Sequence, residues 1–150
     1  MTKIKKGQPI KLIIDNAVLA KYNLWYFQNY PRRRVAPIKF PTHPSINTWF
    51  ILKRPAANAL KQKWKDFIVW VVKNEGLSGS KIQHCTMEFT SFFRTKRRTD
   101  CDNTVPKFIL DGMVEANLIE DDDSLHLQSL TLRCSYCKSN PRTEIIIHIL

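Results

Sequence analysis

The apolar residues of this chain change period at Lys81, and that change fixes most of what it can fold into. Before it, Ala57, Leu60, Trp64, Phe67, Ile68 and Val71 recur at three- and four-residue steps, the spacing of one helix face. Pro55 suits the first turn of that helix, and Glu75-Gly76 supplies its stop. Lys61, Lys65 and Lys73 lie largely off the apolar face, while Val69 and Trp70 fall outside the stripe and ask for cover on a second side. After it, Ile82, His84, Thr86, Glu88 and Thr90 alternate with Gln83, Cys85, Met87 and Phe89, which predicts a strand of about ten residues.

A second helix is predicted after Asn103, a good N-cap, with Pro106 tolerated in its first turn. Val105, Phe108, Ile109, Gly112, Met113 and Ala116 form its apolar face. Lys107, Asp111 and Glu115 follow one another at four-residue steps on another face, so Lys107 can meet Asp111. Asn117 can end the helix in a left-handed conformation. The segment from Leu125 to Leu132 alternates like a strand, Cys134 to Pro141 is a turn, and Thr143 to Leu150 is rich in β-formers. The last two strands are therefore expected to form a hairpin. Upstream, Ile10–Ile14 and Val35–Phe40 read as short strands, and Pro41–Trp49 as a loop. This order predicts an α+β fold, a small mixed sheet with two main helices in a single domain, which 150 residues suffice to build. The domain is expected over residues 35–150, with 1–34 an N-terminal segment of unassigned role. Leu24, Trp25, Tyr26, Phe27 and Tyr30 make that segment too aromatic for a disordered arm. Such rings pack in a core, or stack on bases beside Arg32, Arg33 and Arg34.

No apolar run approaches the ~20 residues of a membrane span, and no apolar core of a signal peptide follows the basic start. A cytoplasmic protein without a membrane partner is the expectation. The formal net charge of +11 and a pI near 9.7 favour a polyanionic partner, nucleic acid foremost. The cations are clustered, in Arg32–Arg34 and again in Arg94, Lys96, Arg97 and Arg98.

Against that background, eight of the thirteen acidic residues fall between Thr99 and Ser124: Asp100, Asp102, Asp111, Glu115, Glu120, Asp121, Asp122 and Asp123. Like charges so gathered repel unless something positive lies between them. In extended backbone Asp100 and Asp102 project to one side, alpha carbons ~6.6 Å apart, and can share a hard cation. Magnesium takes a couple of carboxylates, waters and a substrate phosphate, with manganese a substitute; a third carboxylate from Asp121–Asp123 would complete the site. Reach is a constraint. A helix from Asn103 to Glu115 advances ~20 Å, and the six steps from Ala116 to Asp122 return at most ~20 Å. The chain comes back only if nearly straight or if the helix turns across the sheet; a site shared by two subunits is the alternative. Such a site would activate water for phosphodiester hydrolysis, with Lys107 offsetting charge on the transition state. On spacing alone, Asp121–Asp123 as a solvated turn and Asp100 as a helix cap account for the same residues.

The segment Arg97-Arg98-Thr99-Asp100-Cys101-Asp102-Asn103, followed by Lys107, Asp111 and Asp121-Asp122, resembles the RusA-type Holliday junction resolvases. Pro44-Ser45-Ile46-Asn47 is similar to a Pro-Ser-x-Asn loop early in that family, and the order of elements is similar over roughly residues 35–149. The resemblance implies a homodimeric, magnesium-dependent endodeoxyribonuclease that resolves four-way junctions, branched double-stranded DNA, by paired symmetric cleavage. By position it implies Asp100, Asp102 and Asp122 as catalytic carboxylates, Asp121 as their neighbour in the metal site and Lys107 as the functional lysine. Asn47, from its place in the 41–49 loop, is a candidate to touch the DNA. Two departures stand out: one extra residue near Pro106, and an Asp run three long, which allows Asp123 to take the ligand's place.

Three other readings stand beside this one. A non-catalytic basic nucleic-acid-binding module would keep the cations and aromatics but would not need the carboxylates. A branch or flap nuclease would differ in substrate preference alone. Cys134-x-x-Cys137 offers half of a zinc site, although free thiols in a turn are the simpler expectation. His43, His84, His126 and His148 show no ligand spacing and read as structural.

Overall fold

The structure, a computed structural model, describes Ile4, Lys5 and residues 7–150. Its elements are β1 (Ile10–Asp15), α1 (Asn16–Asn29), α2 (Ile46–Phe50), α3 (Arg54–Asn74), β2 (Cys85–Phe93), a 3-10 turn (Cys101–Thr104), α4 (Lys107–Glu115), β3 (Leu127–Tyr136) and β4 (Arg142–Ile149). The fold is a small single-domain α+β protein whose mixed sheet has the order β1-β4-β2-β3. β4 is antiparallel to both neighbours, whereas β2 and β3 run parallel, joined by the 3-10 turn and α4. Antiparallel strands can close with a tight turn, but a parallel pair needs such a crossover.

The expected β3–β4 hairpin is not formed, because β2 lies between the two strands. After β3 the chain passes the end of β2, where Cys137 N donates to Phe93 O at 2.9 Å, and Arg142 enters opposite Phe92. Burial decides the order. Thr143, Ile145 and Ile147 of β4 are fully covered and need a central position, whereas Ser129, Thr131 and Arg133 of β3 are exposed and suit an edge. Val35–Phe40 is not a strand either; Pro37 removes a donor that a ladder needs, and only Ile38 of this segment is buried.

Alternate strand residues face one layer of helices. Leu12, Ile14, Met87, Phe89, Ile145 and Ile147 meet Tyr22 of α1, Phe67, Ile68 and Val72 of α3, and Ile109 and Met113 of α4. There are thus more helices than the two expected. α1 starts directly from β1, where Asp15 caps it by accepting from Val18 N at 2.9 Å. It gives α3 its cover on the second side: the Tyr22 ring lies 4.8 Å from Phe67 and 5.2 Å from Trp70. The other face of the sheet is more open and carries ion pairs, Glu88 with Arg133 and His148, and Glu144 with Lys11 and Arg142.

α3 and α4 pack closely at Gly112, where a Cβ would stand 2.6 Å from Ile68 Cβ. Lys61–Asp111 at 3.4 Å and Lys65–Glu115 at 3.3 Å flank that contact. Both helices stop as their sequences foretell. Gly76 (φ 69°) and Asn117 (φ 55°) take the left-handed conformation, and Leu77 and Leu118 donate back to Val72 O and Met113 O. Among the described residues no helix is long and apolar enough to cross a membrane.

Candidate nucleic-acid interface

A cleft of about 1090 Å³ opens between the 35–48 segment, the first turns of α3 and residues 97–104. Lys39, Lys63, Arg97 and Arg98 line it, together with Asn47 and Asp100. Three sequence-predicted residues of the basic and loop motifs, Asn47, Arg97 and Arg98, thus share one cavity with Asp100. Lys39 and Lys63 were not singled out by sequence. Lys63 sits on α3 away from its apolar stripe, and nothing local shows that the 35–48 segment crosses over it.

The Pro-Ser-x-Asn loop owes its shape to ordinary capping. Ser45 is the N-cap of α2, accepting from Thr48 N at 3.3 Å and sharing a hydrogen bond with Thr48 Oγ1 at 2.9 Å. Asn47 is thereby held in a short helix rather than a free loop. Two long-range bonds dock the segment. Thr143 Oγ1 donates to Pro41 O at 2.7 Å, and Phe108 N donates to His43 Nε2 at 3.0 Å. The second bond leaves the Nδ1 hydrogen of His43 for Pro44 O, 2.7 Å away. His43 therefore acts as a remote cap for α4, whose own N-cap, Pro106, makes no side-chain capping bond. Burial pushes its pKa down to about 4, against the smaller upward pull of the Pro44 carbonyl, so the ring is neutral. The histidine is structural, as the sequence suggested.

The other sequence-predicted basic residues lie outside this cleft. Arg32 to Arg34 are exposed after α1, and Arg94 is exposed just past β2. Lys96 lies over the Tyr136 ring at 5.3 Å.

The acidic segment has partly come together. α4 is shorter than expected, starting at Lys107, and its nine residues rise only ~13 Å, so the chain does return. Lys107 Nζ lies 3.0 Å from Asp111 Oδ1 and 3.6 Å from Asp122 Oδ2. Asp111 also pairs with Lys61, so a chain of alternating charges, Lys61, Asp111, Lys107 and Asp122, ties α3, α4 and the 120–123 segment together. The hydrogen bond to Asp111 raises the Lys107 pKa, partial burial opposes it, and Asp122 adds to the rise.

The expected magnesium site, with manganese as its substitute, is not present: among the described residues no three His, Cys, Asp or Glu side chains are grouped to hold a metal ion. Three features account for this. Residues 101–104 wind into a 3-10 turn instead of extending, so Asp100 and Asp102 lose the shared side that alternation would give them. Asp102 is exposed on that turn while Asp100 lines the cleft. The ammonium of Lys107 already lies beside Asp122 as its counter-charge. The other two aspartates of the run are occupied by local structure. Asp121 Oδ1 accepts from Asp122 N at 2.7 Å. Asp123 Oδ1 accepts from Leu125 N and His126 N and pairs with the His126 ring at 2.6 Å, and this ring contact holds its pKa below the usual carboxylate range.

The zinc alternative at Cys134 and Cys137 lacks further ligands in the same way. The Cys134 thiol faces Thr104 Oγ1 at 3.9 Å and Cys101, and burial pushes its pKa up to about 11. Cys137 is 3.6 Å from Ser139 Oγ, and that contact lowers its pKa. All four cysteines are free thiols.

No protein-family model matches the chain, and no curated protein matches it in sequence, so what the cleft can bind is read from its own residues.

Proposed function

We propose that this chain binds branched double-stranded DNA, the substrate class of the RusA-type resolvases it resembles, and that it does so as a homodimer through the basic cleft. The observation that carries this reading is the convergence of Arg97 and Arg98 with Lys39 and Lys63, from three separate segments, on one cavity. Four cations on a concave wall neutralise backbone phosphates and release their counterions. Asn47, fixed by the Ser45 cap, adds an uncharged donor and acceptor suited to the sugar–phosphate edge. Anisotropy titration of a labelled four-way junction tests the proposal. Nanomolar to micromolar binding, weakened by Arg97→Ala with Arg98→Ala, is expected; no binding at low salt sinks it. A solution mass near twice 17.6 kDa is expected for the dimer.

Cleavage of the bound junction is a second function, and one contact favours it. Lys107 and Asp122, fifteen residues apart in sequence, meet at 3.6 Å. In this reading the Asp122 carboxylate accepts a proton from water, and Lys107, which Asp111 and Asp122 now share, turns to offset charge on the phosphate. Paired symmetric nicks in a labelled junction are expected, and Asp122→Asn should abolish them without changing affinity. An uncut junction that is nonetheless bound leaves the protein as a non-catalytic binding module.

A further inference from the structure

A second pocket, of about 520 Å³, adjoins the cleft, and Pro37, Ala59 and Lys63 line both. Its walls are aromatic. Trp25 and Tyr26 of α1 and Tyr30, the residue just after it, face the pocket, with Arg33 beside them. Trp25 is 39% and Tyr30 51% exposed, although Tyr22, on the same helix, is buried. The rings are held, not loose: Tyr22 stacks on Trp25 at 5.7 Å, and Tyr26 lies 4.9 Å from Tyr30. Large aromatic faces left open beside a guanidinium form a stacking platform of the kind that receives bases.

Charge narrows the occupant. Arg33 and Lys63 would attract a strand, but Asp66 and Glu115 also line the pocket and disfavour a phosphate within it. Glu115 is paired with Lys65, whereas Asp66 accepts from Gln62 Nε2 at 2.7 Å through one oxygen and keeps capacity to accept another hydrogen bond. A neutral ring with N–H donors on its edge satisfies all three features: aromatic faces, a carboxylate acceptor, and the Lys63 cation at the side shared with the cleft.

We infer that this pocket takes an unpaired nucleobase from a DNA strand whose phosphates run along the basic cleft. The inference rests on the DNA-binding reading above and deepens it, since it assigns the protein to strands that expose a base, as at a branch point or in a single-stranded segment. Lys63, common to both cavities, is where the strand leaves one for the other.

Binding of a short single-stranded oligonucleotide and of a blunt duplex, measured side by side at one salt concentration, separates the two claims. Trp25→Ala with Tyr30→Ala should weaken single-strand binding about tenfold, the effect of losing a stacked base, and leave duplex affinity within roughly twofold. Tyr30→Phe, which keeps the ring face, should bind as the parent does. Quenching of tryptophan emission by the single strand, diminished in Trp25→Phe, reports the contact in a variant with a conservative ring. Undiminished single-strand affinity in the double variant, or binding without quenching in the parent, overturns the pocket while leaving the cleft reading in place if Arg97→Ala with Arg98→Ala still impairs the duplex. A parent protein that binds neither DNA removes both.

Discussion

His43 shows how one side chain can carry a distant constraint. It is a lone histidine in a proline-rich loop, and the sequence reveals only that it lacks ligand spacing. Its acceptor role toward Phe108 N depends on a neutral ring in a buried place. The folded pKa of about 4 lies below the ordinary value of 6.5, so above pH 6.5 neither state takes a proton there and stability is independent of this group. As pH falls through 6.5 the unfolded chain binds a proton that the folded chain refuses until about pH 4. Stability should therefore drop over that window, by ~3 kcal/mol in all. Urea midpoints measured between pH 7 and pH 4 should fall more steeply in the parent than in His43→Asn, which does not titrate. At Gly112 the constraint is steric. A methyl group 2.6 Å from Ile68 Cβ forces α3 and α4 apart, and Gly112→Ala should cost ~1–3 kcal/mol in chemical denaturation.

Elements were legible where their signal is local. The stripe of α3, the alternation of β2 and the left-handed stops at Gly76 and Asn117 each depend on residues a few positions apart, and each is found. Asn117→Ala should destabilise by ~1 kcal/mol, because a β-carbon without a compensating polar group resists φ 55°, while Asn117→Gly should be close to neutral. Thermal melts of the two variants check this. α1 was invisible for a physical reason: its large residues run all round the helix, with Leu19 and Tyr22 buried and Leu24 and Trp25 exposed, so no single-face period emerges. Strand pairing is non-local, and the β3–β4 hairpin was the simplest guess from adjacency. What defeated it is the need of Ile145 and Ile147 for cover from both sides of β4. The acidic segment divides in the same way. The Lys107–Asp111 pair follows from helix spacing, whereas the bond from Lys107 to Asp122, and the winding of residues 101–104 that separates Asp100 from Asp102, depend on how the whole crossover folds.

At the scale of the molecule, a positive protein has arranged its cations and carboxylates differently. The carboxylates of the 111–123 region are largely spent on internal pairs, and the cleft keeps cations from three segments with Asp100 at hand. Charge of this kind is read by salt. If four cations each displace a counterion, the logarithm of the DNA-binding constant should fall with that of salt concentration with a slope of about −3 to −4. Arg97→Ala should lower the slope by about one, and titrations at several salt concentrations measure both.

The place of β4 between β1 and β2 has a consequence for how the protein is made. A ribosome delivers β1 well before β4, so β1 has no neighbour in the sheet until Arg142 and the residues after it emerge. Until then the nascent chain holds the edges of β1 and β2 that β4 will pair with open, and closure must join segments far apart in sequence. A product truncated before Arg142 would lack the keystone of its sheet and would be a substrate for chaperones or proteases rather than a smaller working protein.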